Sequence, residues 1–387
     1  MYKKKFFNVL DFGSSKVRFS VFDEELNNKF SKTLPVLLNK DFSNHFKNIK
    51  EIIKLAEKEI STHIQDIILI LDRSDLLTVD ISLKKNLGEK VKINKTYDLL
   101  VLELNQLVNS YYSDYEIIHT ILEKCIIDDK IYNELPNSEN KINNLKIDFK
   151  IICYPKKIIN DLKISFNQNN LNLDNIFCTT LVKSLYYLRK LNLENVCFLE
   201  IGWERTSFVM YKNGAIKLLQ SIPVGGYHIS KDISKIFKIT TDEAEKIKKS
   251  FNKSDTEFSY NNNSNDKNIT AREIITKNIS IDKLKEVILY RIQEIIDLTF
   301  KKLSKHNNNS NFKDTTLFLI GEGSILFNDN SFYLNDKFEF KSINCYEEND
   351  KEICNAALVY LFNNHKTPKI NHKNQGLFEK FFNFFSR

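Results

Sequence analysis

Glycine is scarce in this chain: nine residues in 387, roughly a third of the usual share of about 7%. A glycine kept at a turn is therefore informative. Proline occurs five times, methionine twice and tryptophan once. The six cysteines, Cys125, Cys153, Cys178, Cys197, Cys345 and Cys354, form no CxxC pair and stand mostly in apolar runs. That excludes a zinc ribbon or a disulfide scaffold and reads as reduced core thiols. The seven histidines include no HExxH and no close pair, so no imidazole-built metal centre is expected. An excess of one charge is missing too, since 57 basic and 50 acidic residues leave only +7. This balance is too mild and too mixed for a nucleic-acid surface. Apolar runs such as Ile67 to Leu71 fall far short of the ~20 residues that span a bilayer. Met1-Tyr-Lys-Lys-Lys-Phe-Phe imitates the start of a signal peptide, but Asp11 interrupts the apolar stretch too early. A cytoplasmic protein is expected.

What is present is an ordinary globular composition, 42% hydrophobic and 28% charged, at a length that calls for two or more domains. Near the start stands Val9-Leu10-Asp11-Phe12-Gly13-Ser14-Ser15-Lys16-Val17. An apolar strand runs into an acid, then a glycine–serine turn, then a lysine that opens a second strand. Such a turn can offer backbone N–H groups, two hydroxyls and an ammonium to a phosphate, with Asp11 placed for a hydrated Mg²⁺. Taken alone, it also reads as a polar β-hairpin.

Val17, Phe19 and Val21 alternate with Lys16, Arg18 and Ser20, as a strand requires. Residues 42–60 present Phe42, Phe46, Ile49, Ile53, Ala56 and Ile60 on one helical face. The run from Ile67 to Leu71 suits a central strand covered on both sides. The stretch 84–150 changes character, with a helix over Leu99 to Val108 and an apolar segment from Ile117 to Ile127, and reads as an inserted subdomain. A strand from Ile147 to Cys153 and helices over Lys156 to Asn167 and Leu181 to Leu191 follow.

The opening pattern then recurs. Val196-Cys-Phe-Leu-Glu200-Ile-Gly202 runs into the turn Trp203-Glu204-Arg205, then into a strand ending at Asn213-Gly214, the preferred type I′ dipeptide. Asp11 and Gly13 match Glu200 and Gly202, which points to an internal duplication closing around one cleft. Thr240-Thr-Asp-Glu243 is a capping box, residues 252–268 are an Asn/Ser-rich loop, and Ile279 to Leu303 form a long helix. A third glycine turn, Gly321-Glu322-Gly323, ends an apolar strand, and a helix near Ile353 to Phe362 closes the folded part.

Residues 363–375 read as a linker, and 376–387 as an amphipathic helix. At 100° per residue Leu377, Phe378, Phe381, Phe382, Phe384 and Phe385 fall within an arc of about 160°. Glu379, Lys380, Asn383, Ser386 and Arg387 take the other side. Such a helix fits a membrane interface, and Lys366, Lys369, Lys373 and Lys380 would each add about 1 kcal/mol beside anionic lipid.

The three glycine turns, in order and at strand ends, resemble the phosphate 1, phosphate 2 and adenosine segments of the actin-like ATPase superfamily. Within it the chain resembles the FtsA family of bacterial cell-division proteins. Asp11-Phe-Gly13-Ser14-Ser15-Lys16 meets the family's opening acid-Ile-Gly-Ser/Thr-x-Lys motif. Ile222-Pro-Val-Gly225-Gly226, Lys231-Asp232-Ile233, Ala244-Glu245-Lys-Ile247-Lys248 and Glu286-Val-Ile-Leu-Tyr-Arg291 meet later ones.

The resemblance implies an α/β, actin-like (ribonuclease H-like) duplicated two-domain fold with four subdomains and a C-terminal amphipathic helix. Subdomain 1A would comprise 1–83 and 151–194, the inserted 1C 84–150, 2A 195–230 and 311–362, and 2B 231–310. It implies ATP and Mg²⁺ as ligands. Asp11, Gly13, Ser14, Ser15, Lys16, Glu200, Gly202, Gly226, Glu245, Lys248, Gly321 and Gly323 would form the nucleotide site, with Asp11 and Glu200 on the metal side through water. It further implies that Arg291 and Glu294 receive the C-terminal peptide of FtsZ. Leu377, Phe378, Lys380, Phe381, Phe382, Phe384 and Phe385 would meet the membrane. The expected partners are FtsZ, further copies of the chain in a filament, an anionic membrane surface and later division proteins, and no nucleic acid. The expected location is the cytoplasmic side of the inner membrane at the division site.

The chain departs from the family where Asp-Ile-Gly-Gly-Gly-Thr becomes Glu200-Ile-Gly202-Trp203-Glu204-Arg205 and where Gly-Gly becomes Gly321-Glu322. Large residues bar the backbone approach that glycine allows, so efficient hydrolysis is not expected and no catalytic residue is assigned. The rival readings are a superfamily enzyme such as a sugar kinase, a pilus-assembly adaptor of the same fold, and a nucleotide-free scaffold.

Overall fold

Two five-stranded sheets of the same design carry the molecule. The computed structural model describes residues 6–36, 42–132, 135–136, 141–251, 279–306, 312–324, 326, 334 and 338–364. The first sheet has the order β3-β2-β1-β4-β9, from β1 (Phe7–Phe12), β2 (Lys16–Phe22), β3 (Asn28–Pro35), β4 (Asp66–Leu71) and β9 (Asn172–Cys178). The second has the order β12-β11-β10-β13-β14, from β10 (Val196–Ile201), β11 (Thr206–Lys212), β12 (Ala215–Ile222), β13 (Thr316–Ile320) and β14 (Ser342–Cys345). In each, a hairpin pairs antiparallel and the next central strand runs parallel to its first arm. This is the duplication expected from the echoed motif.

The central strands are apolar on both sides because both faces are covered. Helix α1 (Phe42–Ile60) lays Phe46, Ile49, Ile53 and Ala56 against Phe19, Val21 and Leu69 of the first sheet, the face its periodicity predicts. On the opposite face, Val9, Phe22, Ile68 and Ile70 pack against Ile353, Cys354, Ala357 and Leu358 of α8 (Asp350–Asn364). This last helix follows a strand of the second sheet yet packs on the first. The sequence reading grouped it with the second half, but its apolar residues are buried on the first.

Helix α3 (Lys156–Gln168) also packs on the first half through Ile159, Leu162 and Phe166. Helix α4 (Thr179–Leu191) sits between the sheets: Leu181, Tyr187 and Leu188 share one core with Phe198, Val209 and Tyr211. The outer face of the second sheet is covered by α5 (Gly226–Phe237), α6 (Thr241–Phe251) and α7 (Ile281–His306). They bury Ile229, Ile233, Ala244, Ile247, Leu284, Ile288 and Ile292 there. The capping box forms: Thr240 N–H donates to Glu243 Oε2 at 2.9 Å and Glu243 N–H to Thr240 Oγ1 at 3.3 Å.

The third sheet, β5-β8-β6-β7, comprises β5 (Leu77–Lys92), β6 (Tyr115–Ile127), β7 (Lys130–Tyr132) and β8 (Lys141–Pro155). Helix α2 (Ile93–Tyr111) lays Tyr97, Leu100, Leu104 and Val108 on its Leu145, Ile147, Phe149 and Ile151. The sheet overhangs the expected insertion, 84–150, on both sides. No helix among the described residues is long and apolar enough to cross a membrane. Residues 363 and 364 of the expected linker 363–375 instead end α8. The rest of that stretch and the expected amphipathic segment 376–387, with Leu377, Phe378, Lys380, Phe381, Phe382, Phe384 and Phe385, lie outside the described residues.

Candidate functional site

The two glycine turns are built alike. Gly13 N–H donates to Lys16 O at 3.0 Å, and Gly202 N–H donates to Arg205 O at 2.9 Å. The registers Asp11↔Arg18 and Glu200↔Ser207 place the two acids at equivalent points of equivalent hairpins. Both turns face the cleft between the halves, as does Gly321 at the end of β13. Gly321 adopts φ +84°, and a Cβ there would lie 2.7 Å from Ile201 O, so glycine is required.

The acids of the cleft are already engaged. Asp11 is 3% exposed and accepts from Arg18 Nη1 at 2.8 Å, while Arg18 Nε donates to Asp350 at 2.5 Å. Burial pushes the Asp11 carboxyl up by more than Arg18 and Lys183 pull it down. Glu200 pairs with Lys183 at 2.8 Å, and Lys183 also pairs with Glu348 at 2.8 Å. Burial would lower the Lys183 ammonium, but these two carboxylates outweigh it and hold the group charged. Glu348 also takes the Gly321 N–H at 3.1 Å and the Tyr187 hydroxyl at 3.0 Å.

Two further pairs cross the cleft. Arg205 reaches Asp72 at the end of β4, and Lys16 reaches Glu322 beyond β13. Asp72 also accepts from Thr180 N–H at 2.9 Å and Thr180 Oγ1 at 2.8 Å. Burial alone would raise its carboxyl, but Arg205 and these hydrogen bonds outweigh it and hold it below the usual range.

Around the second turn the space is filled. Gly226 N–H donates to Gly202 O at 2.9 Å and Tyr227 N–H to Trp203 O at 2.7 Å, so the first amides of α5 are satisfied by the turn itself. A Cβ on Gly225 would meet Gly202 O at 2.6 Å and Arg205 N at 2.7 Å. Trp203 lies against Tyr227, ring centroids 5.2 Å apart, with the Lys248 ammonium 5.0 Å from its own ring centre. Lys248 donates to Gly226 O at 2.8 Å and pairs with Glu245 at 2.6 Å. Trp203 Nε1 and Arg205 Nε are buried with no acceptor among the described residues.

The expected site residues are thus brought together. Ser14 and Ser15 stand in the first turn, Gly226, Glu245 and Lys248 at the second, and Gly321 and Gly323 against Ile201. The metal expectation meets a different arrangement. Asp11 and Glu200 face guanidinium and ammonium groups, where water-mediated Mg²⁺ needs unpaired carboxylate oxygens. Among the described residues no three His, Cys, Asp or Glu side chains are placed to hold a metal ion. Nor does the second turn fit a phosphate, because Trp203 and Glu204 replace the glycines that let backbone amides approach. Sequence reasoning missed the pairing roles of Asp72, Lys183, Glu348 and Glu322, the last noted only as a departure from the family's Gly-Gly. The repeat offered a signal for two of them, since Asp72 and Glu322 follow equivalent strands.

A second candidate lies between α5 and α7. A groove of about 280 Å³ is lined by Asp232, Lys235, Ile236, Tyr290, Arg291 and Glu294 among others. Arg291 Nε donates to Asp232 at 2.6 Å and Nη1 to Glu294, while Tyr290 is 70% and Ile236 43% exposed. The two residues expected to meet a partner peptide therefore share one groove.

Comparison with known proteins follows the same lines. Residues 197–352 match the family model described as cell division protein FtsA. The chain is 26% identical over 345 residues to cell division protein FtsA of Buchnera aphidicola subsp. Baizongia pistaciae (strain Bp), covering 84% of this chain and 78% of that one. It is 24% identical over 210 residues to the Bacillus subtilis (strain 168) protein of the same name, covering 52% and 46%. Among solved structures, a chain of a PilM–PilN type IV pilus biogenesis complex superimposes with TM-score 0.63 at 12% identity, over 94% of this chain and 99% of that one. The likeness to FtsA read from the sequence is borne out, and so is the duplicated actin-like α/β fold.

Proposed function

We propose that this FtsA-related protein of actin-like fold tethers FtsZ filaments to the cytoplasmic face of the membrane. The groove at Arg291 carries the reading, because it lies within the family-matched stretch 197–352 and joins charge to exposed apolar surface. Asp232 and Glu294 fix the Arg291 guanidinium while leaving it donors for an incoming carboxylate or carbonyl. Tyr290 and Ile236 give an apolar side chain of the FtsZ C-terminal peptide somewhere to dock.

The sequence of 376–387 supplies the lipid contact, one reversible helix per copy. Copies aligned along a filament of this protein would hold firmly through effective concentration. The assembled ring would then recruit later division proteins. ATP as a conformational ligand is not part of this reading, because the cleft acids are paired internally. The pilus-adaptor alternative rests on a likeness that shows fold alone, and the amphipathic terminus favours the FtsA reading.

One vesicle experiment tests both contacts. Labelled FtsZ C-terminal peptide is mixed with the full chain and vesicles containing anionic lipid, then sedimented. The protein carries peptide down with the vesicles. Arg291→Glu still sediments but loses peptide affinity about 10-fold or more, and removal of 376–387 keeps peptide binding while losing the vesicles. Undiminished peptide binding by Arg291→Glu sinks the groove assignment.

A further inference from the structure

The two ion pairs that cross the cleft are related by the internal repeat. In the hairpin registers Phe12↔Val17 corresponds to Ile201↔Thr206, which makes Lys16 the counterpart of Arg205. In the parallel registers Asp11↔Ile70 corresponds to Glu200↔Ile320. Two residues on, Asp72 is therefore the counterpart of Glu322. Each half thus extends a cation from its glycine turn to the acid that ends the central parallel strand of the other half.

We infer that these quasi-symmetric latches, Lys16–Glu322 and Arg205–Asp72, hold the two halves together in place of magnesium nucleotide. The cations that would face the phosphates pass instead to the opposite wall. The cleft holds seven carboxylates, of Asp11, Asp72, Glu200, Glu245, Glu322, Glu348 and Asp350, to the five cations Lys16, Arg18, Lys183, Arg205 and Lys248. No cation is in surplus for a polyphosphate, and one that entered would have to break both latches and meet Glu204. Like-charge repulsion in a water-poor site opposes this strongly.

The latches differ in exposure. Asp72 and Arg205 are 0% and 14% exposed, Lys16 and Glu322 33% and 53%. The first is a permanent tie, whereas the second, at the mouth, is open to screening by salt. The inference does not depend on FtsZ or lipid binding, and its test leaves those aside.

The test uses the full chain. Calorimetric titration with ATP·Mg²⁺ and with ADP·Mg²⁺ gives no saturable heat up to ~1 mM nucleotide, and neither raises the melting temperature. Hydrogen exchange reads the latches directly. Lys16→Glu speeds exchange at 321–324 about 2- to 5-fold, and Lys16→Glu combined with Glu322→Lys restores it. Both positions are partly exposed, so folding is not at stake. Arg205→Gln speeds exchange at 202–206 by about 10-fold or more. Saturable nucleotide binding with thermal stabilisation overturns the inference, and so does a reversed pair that leaves exchange no slower than in Lys16→Glu.

Discussion

His119 is buried on β6 with both ring nitrogens engaged. Cys178 N–H donates to Nε2 at 2.9 Å, so Nδ1 carries the proton and donates to the Tyr360 hydroxyl at 2.8 Å. Phe177 stacks on the ring at 5.6 Å and Tyr360 meets it edge-on at 5.0 Å. Burial in this aromatic pocket pulls its pKa down to about 3, from an ordinary value near 6.5. The unfolded chain therefore binds more protons between those values. The stability that neutral His119 contributes is whole above pH ~6.5 and is lost as pH falls towards 3. This amounts to roughly 3 kcal/mol between pH 7 and pH 4. Urea unfolding at a series of pH values should show the loss. His119→Gln, which offers a similar donor and acceptor without titrating, should remove about that much of the slope. An unchanged pH profile in the variant would count against the assignment.

At the scale of elements, the contact between the second glycine turn and the start of α5 is the most tightly specified. A Cβ on Gly225 would stand 2.6–2.8 Å from three backbone atoms of 202, 203 and 205. On Gly226 its first contact, at 3.4 Å, is the movable end of Lys248. Gly225→Ala should thus cost about 1–3 kcal/mol and Gly226→Ala distinctly less, as thermal melts would report; equal losses would argue that the turn yields freely. The capping box and the α1 face were legible in the sequence because each is a local pattern. Five strands were not: β3, β5, β7, β9 and β14 each sit at the edge of a sheet. There one side of the ladder faces outward and few apolar residues are demanded, so the alternation is faint. His119 was obscured differently. The register of β6 shifts between Ile117 and His119, and such a bulge turns a polar residue inward against the pattern. In the cleft, the motif located Asp11, Glu200 and Lys16 but not their partners. Arg205 and Asp72 stand 133 positions apart, which leaves no spacing to read, while Arg18 and Lys183 lie only 7 and 17 positions from Asp11 and Glu200 but outside the motif.

At the scale of the molecule, the chain returns on itself. Helix α8 follows β14 of the second sheet and buries Ile353, Cys354, Ala357, Leu358 and Leu361 against the first. Through Tyr360 it also touches His119 of the third sheet. Helix α4 shares one core with both larger sheets. A two-domain protein joined only by linkers commonly melts in separate steps, but these helices leave neither half a complete core of its own. Leu358 is fully buried, and its truncation to alanine should cost about 2–5 kcal/mol. For a chain of this size that lowers the melting temperature by roughly 3–8 °C. Calorimetry should show the main transition of both halves moving down together as one peak. Were Leu358→Ala to split the trace, leaving one component at the original temperature, the second half would be folding independently of the helix that closes the first.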